Sequence, residues 1–413
     1  MRHLLFIPML LLSGCGREVR QVSLPAQVYV WQRVWTPEVS SAVRSAKFAA
    51  LHVLAAEFHI KDGKPEIVEV EPDWRSLQDS GAPIGAVLRV HASVGTKGWN
   101  EALVEELRSL CAGTIARFRS AGLPLTELQF DYDCAESRLS DYARLLEALQ
   151  TEIPICITAL PVWLRHDSAR ALLALSPGYV LQVHSLHLPK DGGLTGLMDM
   201  DETQLAVRRA VEIGVPFRVA LPTYSCVVEF ADDGRVSEVH AEDMPAGLAL
   251  SGRKYAVLDS DAYALAELVA DWQAHAPTLM QSIIWYRLPV STDRMNWPVS
   301  LLPKVARGDT LRHGWNASVR LAVEGHHEIV LRQDGDAPDD LPREIFVSWK
   351  GDDLEGCDGL RGYKVQGHVP GRMGLWLERP ERFGRVRSGE QLVVGWLRLP
   401  IGAGSDVEVK ISR

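Results

Sequence analysis

The sequence is short of positive charge: 44 Lys and Arg stand against 53 Asp and Glu, for a formal charge of −9 and a pI near 5.8. A general nucleic-acid binder carries a basic face, so that class is excluded. Long apolar runs are missing after the N-terminus, and the one there, Leu4 to Leu12, is too short to cross a bilayer. A multi-pass membrane protein is excluded with it. Cysteine is scarce, six in 413 residues, and no two have the C-x-x-C spacing of a metal site. Internal repeats and low-complexity segments are absent. No Gly-rich phosphate turn follows the first strand, which speaks against dinucleotide binding. What is present is ordinary globular material, 46% hydrophobic and 23% charged, long enough for two or three domains.

The N-terminus reads as an address. Arg2 and His3 precede the apolar stretch, which only Pro8 interrupts, and Ser13 and Gly14 lead into Cys15. A short apolar stretch closed by small residues is a secretory signal. This one resembles the bacterial lipoprotein signal. The resemblance implies that Cys15 is lipidated, becomes the new N-terminus and anchors the chain to a membrane through its acyl chains. Gly16 in place of Asp implies the outer membrane of a Gram-negative envelope, facing the periplasm. The alternative is a buried first strand with an incidental Cys. The other cysteines, Cys111, Cys134, Cys156, Cys226 and Cys357, read as small buried hydrophobes. Their odd number leaves at least one thiol free.

From residue 26 to about 290 short apolar runs alternate with helical spacing. Strands are expected at Val28–Trp35, Phe48–Phe58 (with Glu66–Glu71 as a hairpin partner), Ile84–His91, Leu125–Asp133, Pro154–Leu160, Tyr179–Leu186, Phe217–Leu221 and Leu279–Leu288. Helices are expected at Pro37–Ala46, Trp99–Ser120, Arg138–Gln150, Ser168–Leu175, Glu202–Ile213 and Ala262–Ala274. Such alternation implies parallel strands joined by right-handed crossovers. Eight strands over this length fit a closed (β/α)8 TIM barrel, with an open doubly wound sheet as the rival. Asp232-Asp233-Gly234 marks a hairpin inserted after the seventh strand. Toward the C-terminus short strands separated by turn residues replace the helical pattern, which reads as a small β-sandwich. The expected division is a signal with its lipidated Cys at 1–15, a tether at 16–25, the barrel at 26–300 and the sandwich at 310–413.

Barrel enzymes carry their sites at the C-terminal ends of the strands. The fourth strand ends Phe130-Asp131-Tyr132-Asp133. Side chains alternate across a strand, so Asp131 and Asp133 share a face, roughly 6.5 Å apart along it. Carboxylates this close push their pKa values apart, as an acid/base pair requires. The alternative is one Asp capping the next helix while the other meets an Arg. Glu57 and Arg89, on the second and third strands, are further inward candidates, with Gln182 and His184 on the sixth. Trp31 and Trp35, Tyr224, and Trp285 with Arg287 stand near other strand ends, where aromatic faces suit sugar rings. The plainer reading of each Trp is a large core residue. His184 and His187 lie three apart and so point to opposite faces of a strand; no metal is expected.

Asp131-x-Asp133, Leu221-Pro222-Thr223-Tyr224 and Trp285 together resemble the chitinase-like barrel hydrolases, glycoside hydrolase family eighteen. The Tyr29–Trp35, Phe130–Cys134 and Arg218–Tyr224 segments more closely resemble an uncharacterised bacterial lipoprotein family, a domain of unknown function. The first resemblance implies a catalytic Glu two residues after the last Asp, and here that position is Ala135, with Glu136 one residue late. The expectation is therefore a lipid-anchored, glycoside-hydrolase-like barrel acting on an envelope or extracellular polysaccharide. Asp133 would be its acid, with Asp131 or Glu57 as partner, and it would need no cofactor and bind no nucleic acid. The alternative is a non-catalytic carbohydrate-binding or structural envelope lipoprotein that kept the barrel without the acid.

Overall fold

The computed structural model describes residues 23–95, 98–149, 151–184, 196–241, 254–350, 354–367, 374–379, 385–400 and 406–412. Cys15 and His187 lie outside them. The chain first lays down β1 (Ala26–Val30), β2 (Leu51–Lys61), β3 (Lys64–Glu69), β4 (Ile84–Val90), β5 (Leu125–Tyr132), β6 (Ile155–Ala159), β7 (Tyr179–Gln182) and β8 (Phe217–Pro222). An inserted sheet follows, β9 (Ser225–Phe230), β10 (Val236–His240) and β11 (Lys254–Asp259), and then β12 (Met280–Tyr286). β1 pairs in parallel with both β2 and β12, which closes a barrel of eight parallel strands: β1, β2, β4, β5, β6, β7, β8 and β12. β3 is an antiparallel flap on β2.

The helices are α1 (Pro37–Ser45), α2 (Trp74–Ser80), α3 (Glu101–Ser120), α4 (Leu139–Ala148), α5 (Asp167–Leu173), α6 (Met200–Ile213), α7 (Ala262–Ala274) and α8 (Leu302–Arg307). Their ends are written locally. Thr36, Asp73, Asn100, Asp199 and Asp261 each accept a hydrogen bond from the first turn, satisfying a donor the helix cannot. The helices bury Leu107, Phe118, Tyr142, Leu172 and Val269 against the outer faces of the strands, which contribute Val28, Leu88, Phe130, Ile157, Leu221 and Trp285. Strands buried on both faces read as continuous apolar runs, as these do.

Past α8 come β13 (Trp315–Val323), β14 (His326–Gln333), β15 (Glu344–Trp349), β16 (Gly356–Gly359), β17 (Lys364–Gln366), β18 (Gly374–Glu378), β19 (Gln391–Arg398) and β20 (Val407–Ile411). They form two four-stranded antiparallel sheets, β13-β14-β19-β16 and β17-β18-β15-β20. Leu331, Ile345, Val347, Leu377, Val394 and Leu397 fill one core between them. Polar contacts bind these strands to the barrel: Arg385 to Asp261 at 2.5 Å, Lys304 to Asp336 at 3.1 Å, and the Tyr263 hydroxyl to the Ala337 carbonyl at 3.2 Å.

Candidate active site at the barrel mouth

Strand partners in register share a face, so the pairings identify the inward side chains. At the floor, Arg218 forks onto Glu127 with contacts of 2.8 and 3.0 Å, and the Nη2 that donates to Glu127 Oε2 also meets the Cys156 sulfur at 2.7 Å. His52 joins Glu127 at 3.3 Å and Gln27 at 2.9 Å. Burial raises the Glu127 carboxyl, but His52 and Arg218 together outweigh it and hold the group at about 2. Gly85 is required here: a Cβ would lie 2.7 Å from His52 Nδ1. Above this floor Tyr29, Leu54, Val87, Cys156, Val180, Ala220 and Ile284 plug the axis.

The mouth stands on the plug. A row of charge crosses three neighbouring strands in register, Glu57 beside Arg89 and Arg89 beside Asp131. A bulge between Leu54 and Ala56 sets the phase of β2 so that Glu57 enters this row. Arg33 clamps Glu57 with contacts of 2.9 and 2.8 Å; burial raises the Glu57 carboxyl, and Arg33 and Arg89 bring it below its ordinary value. Thr158 donates to Asp131 at 2.9 Å. Burial, reinforced by the Asp133 charge, raises the Asp131 carboxyl to about 6 against the pull of Arg89 and Thr158. Asp133 is exposed above it.

These groups line a cavity of about 100 Å³ together with Tyr29, Trp31, Gln182, His184, Tyr224 and Tyr286. Its walls interlock: Tyr286 lies edge-on to Trp31 at 5.1 Å and to Tyr224 at 5.5 Å, and stacks on His184 at 5.0 Å. Burial lowers His184 to about 3, so its imidazole is neutral. Among the described residues the Tyr29 hydroxyl and His184 Nδ1, both buried, have no hydrogen-bond partner.

Seven of the expected residues thus converge: Trp31, Arg89, Asp131, Asp133, Gln182, His184 and Tyr224. Glu57 stands beside them, engaged by Arg33. Three belong elsewhere. Trp285 is fully buried on the outer face of β12 against Trp297, because Ile284 and Tyr286 hold the inward phase. Arg287 is buried and paired with Asp293 at 2.6 Å. Trp35, past the end of β1 at Val30, packs half-buried against both the outer core and the cluster of Tyr29 and Trp31, beside the cavity without lining it. Glu136 is held by His166 and, at 3.8 Å, by Arg165, which keeps it out of the cavity lining. Tyr29, Thr158 and Tyr286 are lining residues that sequence reasoning missed. Their positions two residues from Trp31, from Cys156 and from Ile284 were the available signal.

Two other places hold ionisable groups. A cavity of about 800 Å³ lies between β11, α7 and the C-terminal strands, where Asp261 is taken by Arg385. On the inserted sheet Glu229, Glu238 and His240 bring possible ligand atoms within 4.8 Å of one another. His240 already bridges the two carboxylates, at 3.1 and 3.7 Å, as an ion-pair cluster does. Among the described residues no helix is long and apolar enough to cross a membrane.

A family model described as a domain of unknown function, DUF3142, matches residues 80–291, just over half of the chain. No curated protein matches. Among solved structures, the spore cortex-lytic enzyme SleL of Bacillus cereus aligns with a TM-score of 0.48 at 12% identity, over 69% of this chain and 74% of that one. A chitinase of Bacillus thuringiensis aligns at 0.47 and 7% identity, over 94% and 100%. A chitinase of Chromobacterium violaceum aligns at 0.44 and 13% identity, over 69% and 99%. At such values the likeness is confined to the course of the chain.

Proposed function

We propose that this chain, which belongs to the DUF3142 family, is a saccharide-acting barrel of glycoside-hydrolase type whose proton transfer rests on Asp131 and Asp133. One observation carries the reading. Two carboxylates two residues apart, at the end of β5 and just past it, enter one aromatic-walled cavity at the mouth, and the deeper one is raised to about 6. A carboxyl that titrates there holds a proton near neutrality and can give it up, the requirement for a general acid. Asp133, at the exposed end, reaches the leaving oxygen. Asp131, steadied by Thr158, is the raised member that stores the proton and relays it to Asp133. Trp31, Tyr224 and Tyr286 offer ring faces to a sugar, and Gln182 and His184 offer hydrogen bonds to its hydroxyls.

The test is reducing-end release by the full chain from a panel of bacterial polysaccharides and peptidoglycan, with Asp131→Asn and Asp133→Asn alongside. Release lost in both variants supports the hydrolase. No release, with retention of a polymer on an affinity gel, supports instead a non-catalytic saccharide binder. The observation favouring that second reading is Ala135, with Glu136 tied to His166 away from the cavity. A lipid on Cys15, holding the barrel at an envelope surface, completes the proposal. Mass measurement of the N-terminal peptide checks it, and an unmodified Cys15 removes the anchor from the reading.

A further inference from the structure

We infer that the sugar ring entering the mouth cavity carries a free primary amine, held as its ammonium between the Asp131 and Asp133 carboxylates and the surrounding aromatic faces. The inference rests on the saccharide reading and narrows its substrate class to an amino sugar whose nitrogen is not acylated.

Charge is the first ground. The described lining holds two carboxylates and a single guanidinium, Arg89, while His184 is neutral and Glu57 is already clamped by Arg33. A uronic or sulfated sugar would bring an anion to a lining that is already net negative. A cation relieves the repulsion between the two aspartates. Hydrogen bonding is the second ground. An ammonium has three donors and no acceptor. The cavity answers with the two carboxylates, the acceptor nitrogen of a neutral imidazole and the Tyr29 oxygen. Tyr29 and His184 are each more than nine-tenths buried, and among the described residues the Tyr29 hydroxyl and His184 Nδ1 lack a partner.

The walls are the third ground. Tyr29, Trp31, Tyr224 and Tyr286 surround the space, and aromatic faces attract cations at this range. The Trp31 ring already shows the preference, with the Arg89 guanidinium carbon 5.8 Å from its centroid.

The experiment is calorimetric titration of the full chain, at neutral pH and low salt, with three β-1,4-linked tetramers: glucosamine, N-acetylglucosamine and glucose. Their skeletons differ only at C2. The amine tetramer is expected to bind at least about tenfold tighter than either of the others, a difference of about 1.4 kcal/mol. Asp131→Asn and Asp133→Asn should each bring the amine tetramer down to the affinity that the same variant shows for the glucose tetramer. Asp133 is exposed and Asp131 half-buried, so two variants with different structural surroundings carry the test. High salt should shrink the preference. Equal or tighter binding of the acetylated or glucose tetramer overturns the amine and leaves the saccharide reading standing. Absence of binding by all three overturns the amine. If no polymer of the panel is released or retained either, the saccharide reading falls with it.

Discussion

Asp131 should destabilise the barrel at the pH where it is most useful, and replacing it by Asn should reveal the cost. Its carboxyl is raised from an ordinary 3.8 to about 6 by burial and by Asp133, with Glu57 adding a little and Arg89 and Thr158 opposing. The folded chain therefore holds this proton more tightly than the unfolded chain does. The resulting stabilisation is complete below pH 3.8 and is lost as pH rises through 6. About two pH units correspond to about 3 kcal/mol. Solvent at the mouth screens part of it, so about 1–3 kcal/mol is expected. Asn cannot ionise, and its Oδ1 still accepts the Thr158 hydrogen bond, which is 2.9 Å in the parent. Asp131→Asn should match the parent at pH 4 and exceed it at pH 8. For a domain of this size each kcal/mol moves the midpoint by about 2–4 °C. Calorimetric melts of parent and variant from pH 4 to 8 read the difference. An offset of the same size at both ends, or a variant less stable at pH 8, would refute the assignment of the raised carboxyl to Asp131.

At the floor of the barrel, Arg218→Met should cost about 3–5 kcal/mol, because it strips a largely buried carboxylate of its bidentate guanidinium and leaves His52 to hold it. Adding Glu127→Gln should restore part of that loss, and urea unfolding of the single and double variants measures it. The Glu127 carboxyl is held at about 2, so its stabilisation, present above pH 4.5, should fade as pH falls toward 2 in the parent and not in Glu127→Gln. Gly85→Ala should lose roughly 1–3 kcal/mol by pushing a methyl into His52, while leaving the mouth intact. For whatever polymer is cleaved, kcat/KM should fall as pH rises above about 6, where the carboxyl pair surrenders its proton. A profile flat from pH 5 to 8 would remove the pair from proton transfer.

The barrel was legible because its signals are local and repeated. Helical spacing placed α3, α6 and α7 within a residue or two, and the apolar runs placed all eight barrel strands. What escaped had no such pattern. α2 is seven residues long and buries only Ser76 and Leu77, too little for an apolar stripe, although Asp73 and Gly81 bracket it as caps. α8 is a six-residue turn opened by a Leu-Pro pair. β16 reads Gly-Cys-Asp-Gly, a sequence with little preference for a strand, and is extended only because β19 offers it backbone partners.

The site was legible wherever a strand carried polar residues on one face, because they fix the phase. On β5 Glu127, Gln129 and Asp131 alternate with Leu128, Phe130 and Tyr132, so the inward set, extended to Asp133, needs no structure to identify. On β12 both faces are apolar, and the large Trp285 drew attention to the wrong one. Ser282 alone marked the inward phase there: it is buried within the same face as Ile284 and Tyr286, and its hydroxyl has no partner. Counting two onward from that serine reaches Tyr286. Glu57 shows the limit of the method. Counting by two from His52 and Leu54 gives Ala56 as inward, and only the bulge at Ala55 returns Glu57 to the row with Arg89 and Asp131. Nothing in Leu51–Phe58 announces that bulge, since it is set by pairing with β4, a strand more than twenty residues away. Removing Ala55 should therefore straighten β2 and leave Glu57 in the row beside Arg89, with the pH at which Asp131 titrates unchanged, whereas inserting one more residue after Ala56 should swing Glu57 outward and lower that pH.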